Sequence, residues 1–219
     1  MTVEDAEENT RNCRDAGFWR RFAALFIDYN IVLICLFPVF LVLGFVAPDS
    51  VVVQPPYGLF STSTVLDSEI SKEKNADGSV TAIEIRHVEK TYLGRWTYLY
   101  REEIRSNAGE DKIITQLVDR QTRLDIKRAE LGDYDLVLLL IYVTLAECSR
   151  LQASLGKLAL GLKVVDDRGE RPSLLRSIGR NAGKAISLFT VFIGFMMAGW
   201  TARKQALHDK IASCYVVRA

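Results

Sequence analysis

Histidine is nearly absent from this sequence, and cysteine is sparse. Only His87 and His208 occur in 219 residues, so no HExxH pair can form on a helix. The four cysteines, Cys13, Cys35, Cys148 and Cys214, are scattered. No CxxC or Cys/His spacing suggests zinc, and Cys35 sits in an apolar run where it behaves as a small hydrophobe. A nucleophile elbow and a Gly-rich phosphate loop are also missing: LGKLALGLK (155–163) has two glycines without the Walker spacing. Adjacent His208 and Asp209 diverge by about 100° on a helix, so they are not two arms of a triad. These absences argue against an enzyme and imply no cofactor and no metal. A net charge of +1 gives no strong attraction to nucleic acid.

Long apolar runs are what the sequence does have. The composition is 49% hydrophobic, which alone fits a soluble protein, but three blocks hold most of it. The first, RFAALFIDYNIVLICLFPVFLVLGFV (21–46), has Asp28 as its only charge after Arg21. At about 1.5 Å per residue it is long enough to cross the hydrocarbon core. It is too long for a signal-peptide core and lacks a clear cleavage site. Pro38 predicts a kink near mid-span. The second block, LVLLLIYVTLA (136–146), is short and needs Tyr134 and the following CSRLQASLG, or local thinning, to cross. The third is AISLFTVFIGFMMAGWTA (185–202), with Gly194 and Gly199.

Between the first two blocks lies a charged stretch. Pro55-Pro56 and the Ser/Thr cluster at 61–64 read as an extended linker. After the turn-like Asn75-Ala-Asp-Gly78, the runs VTAIEIRHVEK and GRWTYLYREEI alternate as strands, with Leu93-Gly94 near the turn between them. Trp96, Tyr98 and Tyr100 share one face and predict a small core. KIITQLV (112–118) is a third candidate strand. Beyond the second block, LGLKVVDDRGERPS reads as a strand at 162–165, a turn, and a helix start at Pro172-Ser173. Arg176, Arg180 and Lys184 recur every four residues as a basic stripe, and a short strand at 215–217 ends the chain.

Charge sets the expected orientation. Arg11, Arg14, Arg20 and Arg21 precede the first block, and no Lys or Arg occurs in 47–61. The positive-inside rule therefore runs the first span from the cytoplasm outward. Stretch 150–184, with eight Lys/Arg and three acids, returns to the cytoplasm. The third block has basic flanks on both sides, so it either spans once or re-enters as a hairpin; the hairpin lets strands 162–165 and 215–217 pair. The expected architecture is a mainly α-helical integral membrane bundle of two to three spans, with a small β-rich extracytoplasmic insert and short cytoplasmic strands. Its parts are a polar tail (1–17), a first transmembrane helix (18–47), the insert (48–133), a second transmembrane helix (134–149), a basic cytoplasmic segment (150–184), the third hydrophobic segment (185–202) and a C-terminal segment (203–219).

Arg21 and Asp28 are seven apart and share a helix face. Arg21 can snorkel to the headgroups, whereas a bare Asp28 carboxylate at depth costs at least about 2.5 kcal/mol. Asp28 must therefore face the protein interior, pair with a cation or be protonated. It serves either an ion or proton site or an interhelical clamp. Glu147 and Asp209 are the acidic residues nearest the same side, and Glu147 could pair with Arg150 three residues on.

AGFWRRFAALFID resembles the Arg-x-x-Ala-x-x-Ile-Asp signature of the RDD family of membrane proteins, with Arg21 and Asp28 at the named positions. LHDKIA supplies the second Asp, Asp209, after His208. LGKLALGLKVVDDRGERPS is similar to the family's Gly-Lys…Gly-x-x-Val-Val-Asp…Gly segment, which places Lys157, and Arg180 matches the Arg of the next helix. Gln152-Ala153-Ser154 and Ser213-Cys214 stand where the family has Gly-Thr pairs, and the 48–133 insert is unusually long. The resemblance implies a bacterial cytoplasmic-membrane protein, multi-pass, with a transport-related role toward an ion or small ligand. Its polar site would use Arg21, Asp28 and Asp209, supported by Glu147, Lys157, Arg180 and His208. The expected partners are the lipid bilayer and either further copies or a membrane partner protein. The alternative is a non-transporting adaptor or scaffold whose β-rich domain binds a partner.

Overall fold

A computed structural model describes residues 16–74, 80–107, 110–189 and 205–218. The polar tail (1–15), the Asn75–Gly78 turn and most of the third apolar block (190–204) lie outside the described residues, as does the choice between span and hairpin. The chain divides into two compact units, 1–33 with 134–219 and 34–133.

In the first unit, helix α1 (Phe18–Val46) begins after Ala16, whose N–H donates to Val216 O at 2.8 Å. α1 continues through Pro38 into the second unit. Helix α2 (Leu131–Glu147) is followed by the short α3 (Leu155–Ala159), strand β5 (Leu162–Asp166), α4 (Leu174–Phe189), α5 (Leu207–Ile211) and strand β6 (Cys214–Arg218). β5 and β6 pair antiparallel from Leu162–Arg218 to Asp166–Cys214. Alternation of Leu162, Val164, Cys214 and Val216 puts them in one core with Ala16 and Ala24 of α1. The 162–165 and 215–217 strands, whose pairing was expected only under the hairpin alternative, do pair, and α4 starts directly after Pro172-Ser173. Ser173 Oγ accepts from the Arg176 N–H at 3.3 Å, as a helix cap does.

The second unit holds a four-stranded antiparallel sheet in the order β1 (Ser61–Lys74), β2 (Val80–Tyr92), β3 (Trp96–Asn107), β4 (Glu110–Val118). Leu93 and Gly94 both take left-handed φ, 51° and 65°, the pattern of a type I′ hairpin turn. Tyr92, Tyr98, Tyr100 and Leu117 close over Val52, with Trp96 and Ile126 beside them. The aromatic face read from the sequence is therefore core. Val53 N–H donates to the Tyr98 hydroxyl at 2.9 Å.

Two expectations need correction. The chain is not a mainly helical multi-span bundle: the described residues form five α-helices and six strands in two antiparallel sheets. Among them only Phe18–Val46 is long and apolar enough to cross a membrane. The second apolar block forms a helix of 17 residues, at the lower end of the roughly 17–25 residues that a span takes. The Ser/Thr cluster expected as linker is instead the start of β1. Cross-strand pairing with β2, from Ser61–Tyr92 to Lys74–Val80, overrides its weak local signal.

A Cβ added at Gly44 would lie 2.0 Å from Val53 Cγ2 and 3.3 Å from Trp96 Nε1. Val53 is fully buried and stiff at χ1. Gly44→Ala should cost about 1–3 kcal/mol by overpacking. Thermal unfolding of the full chain, followed by tryptophan fluorescence, should show a lowered midpoint; an unchanged midpoint would refute the close approach.

Candidate functional site: a buried charge network

The site is built from the first unit alone. Asp28, on α1, is 1% exposed. Its Oδ2 accepts from Ser154 Oγ at 2.5 Å, and Oδ1 accepts from the Gly156 N–H at 2.7 Å and the Tyr142 hydroxyl at 3.3 Å. The same Tyr142 oxygen accepts from the Leu155 N–H at 2.8 Å. Ser154 and the first turn of α3 thus wrap the carboxylate, which compensates its removal from water. Such close approach demands glycine: a Cβ on Gly156 would meet Ala24 O at 2.2 Å and Asp28 Cγ at 2.9 Å.

Arg21 does not pair with Asp28. Its Nη1 donates to Asp209 Oδ2 on α5, and its Nε donates to Ala16 O at 2.9 Å. Asp209 Oδ1 accepts from Arg180 Nε of α4 at 2.7 Å, and the Ala206 N–H reaches Oδ2 at 3.2 Å. Arg180 also turns Nη1 to Glu147 Oε1, 2.6 Å away at the end of α2. Lys157 of α3 donates to the same Glu147 oxygen, Asn181 Nδ2 reaches Oε2 at 3.3 Å, and Lys184 Nζ stands 3.9 Å from Oε1. Arg180 is 2% exposed, and Glu147 and Asp209 are fully buried.

The electrostatics follow from crowding. Burial alone would raise the Asp209 carboxyl, but the Arg180 and Arg21 guanidiniums outweigh it and hold Asp209 well below the carboxylate range. Burial lowers Lys157, with Glu147 opposing. It also lowers Lys184, to about 7, against the pull of Glu147. His208, also buried, is pushed down to about 3 by desolvation, against the attraction of Asp209.

The sequence-derived residues therefore converge, but in a different arrangement. Arg21, Asp209, Arg180, Glu147 and Lys157 form one chain of ion pairs. Asp28 is held beside it by neutral donors. The expected Glu147–Arg150 pair is replaced, because Glu147 points into the interior while Arg150 is exposed. The basic stripe divides: Arg180 and Lys184 face Glu147, and Arg176 pairs with Asp166 and Asp167. Tyr142, Ser154, Gly156, Asn181 and Lys184 were not singled out as site residues by spacing. A signal for Ser154 existed in the stretch departing from the family pattern, since a hydroxyl there is what Asp28 needs. Among the described residues no cluster of three or more His, Cys, Asp or Glu could hold a metal.

Residues 135–213 match the model of the RDD family. Over this segment the chain is similar to the RDD family. The chain is also 40% identical over 82 residues to the uncharacterized protein YxaI of Bacillus subtilis (strain 168), covering 37% of this chain and 54% of that protein. It thus spans about half the length of the curated relative it matches. No solved structure matches. Arg21 and Asp28 lie outside the matched residues, yet both are bonded into the RDD segment, at Asp209 and at Ser154 and Gly156. The family and the apolar helix α1 together point to a membrane protein.

Two predictions follow from this geometry. Gly156→Ala should destabilise the chain by roughly 3 kcal/mol, the upper part of the overpacking range, because the clash is with backbone; a wild-type detergent melting curve for the variant would contradict it. His208 has a folded pKa below its ordinary value, so the unfolded chain binds the extra proton. Stability from this group is complete above about pH 6.5 and is lost as pH falls toward about 3. The unfolded fraction should rise up to about tenfold per pH unit there. His208→Gln should flatten that slope between pH 6 and 4; a slope unchanged by the substitution would assign the loss elsewhere.

Proposed function

We propose that this is a cell-membrane protein with a cytoplasmic N-terminal flank and a transport-related role. In this reading α1 is the membrane anchor, and an ion or small ligand engages the Glu147 end of the network. The observation that carries it is the uneven grip within the cluster. Asp28 and Asp209 are wrapped by close donors, whereas Lys184 is the longest of the four contacts on Glu147. A group poised near pH 7 beside a buried carboxylate can exchange a proton, or admit a counter-charge, without dismantling the fold. Asp28 then acts as a clamp, and the exchanging position moves to Glu147 and Lys184. The one long apolar helix among the described residues encloses no path by itself, so in this reading transport uses further copies of the chain or a membrane partner. The reading is not enzymatic.

A second reading is favoured by one separate feature. β1 is an edge strand, and its side chains are exposed from Ser61 to Lys72. Such an edge can accept an added strand, which suits an adaptor whose sheet binds a partner.

Flux in proteoliposomes separates the two. Wild-type chain should move at least one of protons, sodium, potassium or small anions. Lys184→Met should keep normal abundance and change the pH dependence of flux near neutrality, while Asp28→Asn should lower abundance first. Absence of flux for every ion tested would defeat the transport reading and leave the adaptor.

A further inference from the structure

Helix α4 is amphipathic the wrong way round for a protein surrounded by water. Ser177, Arg180 and Asn181 are buried, with Lys184 nearly so. Leu174, Leu175 and Ile178 are 50%, 80% and 47% exposed. At about 100° per residue the three apolar side chains share one face, opposite the charged one. In water the hydrophobic effect would favour the reverse rotation. The charge network holds it where it is, because Arg180 is committed to Glu147 and Asp209 at once.

We infer that α4 lies in the membrane interface, with Leu174, Leu175 and Ile178 among the acyl chains and the exposed Arg168 and Arg171 at anionic lipid headgroups. Charge supports a lipid occupant. Both arginines precede the helix on the β5–α4 connection and are exposed, where phosphates of an anionic leaflet would meet them. In the same unit Leu155 of α3 and Ile211 of α5 are 52% and 55% exposed, so the outward apolar surface is not confined to α4. Trp19, also exposed, is the residue type that favours the headgroup level. An interfacial helix of this kind carries its apolar face about 5–10 Å into the headgroup–acyl boundary.

The inference rests on the chain being a membrane protein, and the test keeps the two apart. The full chain, with its four cysteines replaced by alanine, is labelled with a nitroxide at Leu175→Cys, Ile178→Cys or Arg168→Cys. It is placed in nanodiscs of phosphatidylcholine with or without phosphatidylglycerol. Oxygen should collide with the label more readily than a water-soluble nickel chelate at 175 and 178, at a depth of about 5–10 Å, and the reverse should hold at 168. Phosphatidylglycerol should reduce label mobility at 168. Equal nickel access at 175 and 168 would place the face in water and overturn the proposal. Shielding of 175 from both probes would mean a protein partner or second copy, and a depth near the bilayer centre would mean a span; either result also overturns it. Quenching of Leu175→Trp by brominated lipid, measured over the native tryptophans, checks the result with the cysteines intact. Release of the wild-type chain from membranes by alkaline carbonate would instead defeat the membrane reading itself.

Discussion

The guanidinium of Arg180 is the point on which the first unit turns. It is planar and always charged, and its nitrogens can serve two carboxylates at once. Here Nε goes to Asp209 and Nη1 to Glu147, so one side chain joins the end of α2, the middle of α4 and the middle of α5. Asp209 passes the connection to Arg21 on α1. Each link has a fully buried carboxylate, which makes it far more sensitive than a surface ion pair. Removing one partner from a buried pair leaves an uncompensated charge and costs about 3–5 kcal/mol. The network is therefore better read as fixing one arrangement of segments than as adding stability, since desolvation offsets much of the Coulombic gain.

What could be read from the sequence follows from the range of each interaction. The first apolar helix was legible because its signal is local: the expected 18–47 and the observed Phe18–Val46 nearly coincide. So were three of the sheet's strands, through alternation and aromatic content. The cost of burying Asp28 was also legible, but its partners were not. Tyr142, Ser154 and Gly156 are 114 to 128 residues away, and no spacing rule reaches that far. The shared face of Arg21 and Asp28 was legible too, but a shared face says which side both residues use, not which neighbour each one meets. β1 failed because Ser, Thr and charged residues gain strand character only from the strand beside them. The helical bundle failed because hydropathy blocks report burial in something apolar without saying whether that is lipid or protein.

The Asp28 site also shows why a glycine–lysine step sits at 156–157. Gly156 must lack a side chain so that its N–H can reach the carboxylate, and Lys157, one residue on, is then directed at Glu147. One short turn thereby serves two carboxylates with two kinds of donor, a backbone amide for one and an ammonium for the other. Ser154 completes the Asp28 shell from the other side of the turn. The positional demand is strict because α3 has only five residues, so a shift by one would exchange the buried and exposed positions.

Four cations, Arg21, Lys157, Arg180 and Lys184, share this interior with three carboxylates, Asp28, Glu147 and Asp209. An unmatched positive charge in a low-dielectric interior is costly, and the two arginines cannot release it. Lys157 is held tightly by Glu147, which leaves Lys184 as the group best placed to lose a proton, in keeping with its fall to about 7. Either the network is neutral with Lys184 deprotonated, or it is positive with a counter-anion nearby. An exposed apolar face on the same helix sharpens the choice. With lipid rather than water outside it, the field of the extra charge is less screened, and the neutral state gains. The outward rotation of Leu175 and the titration of Lys184 are thus two consequences of one constraint, the commitment of Arg180 to both of its carboxylates.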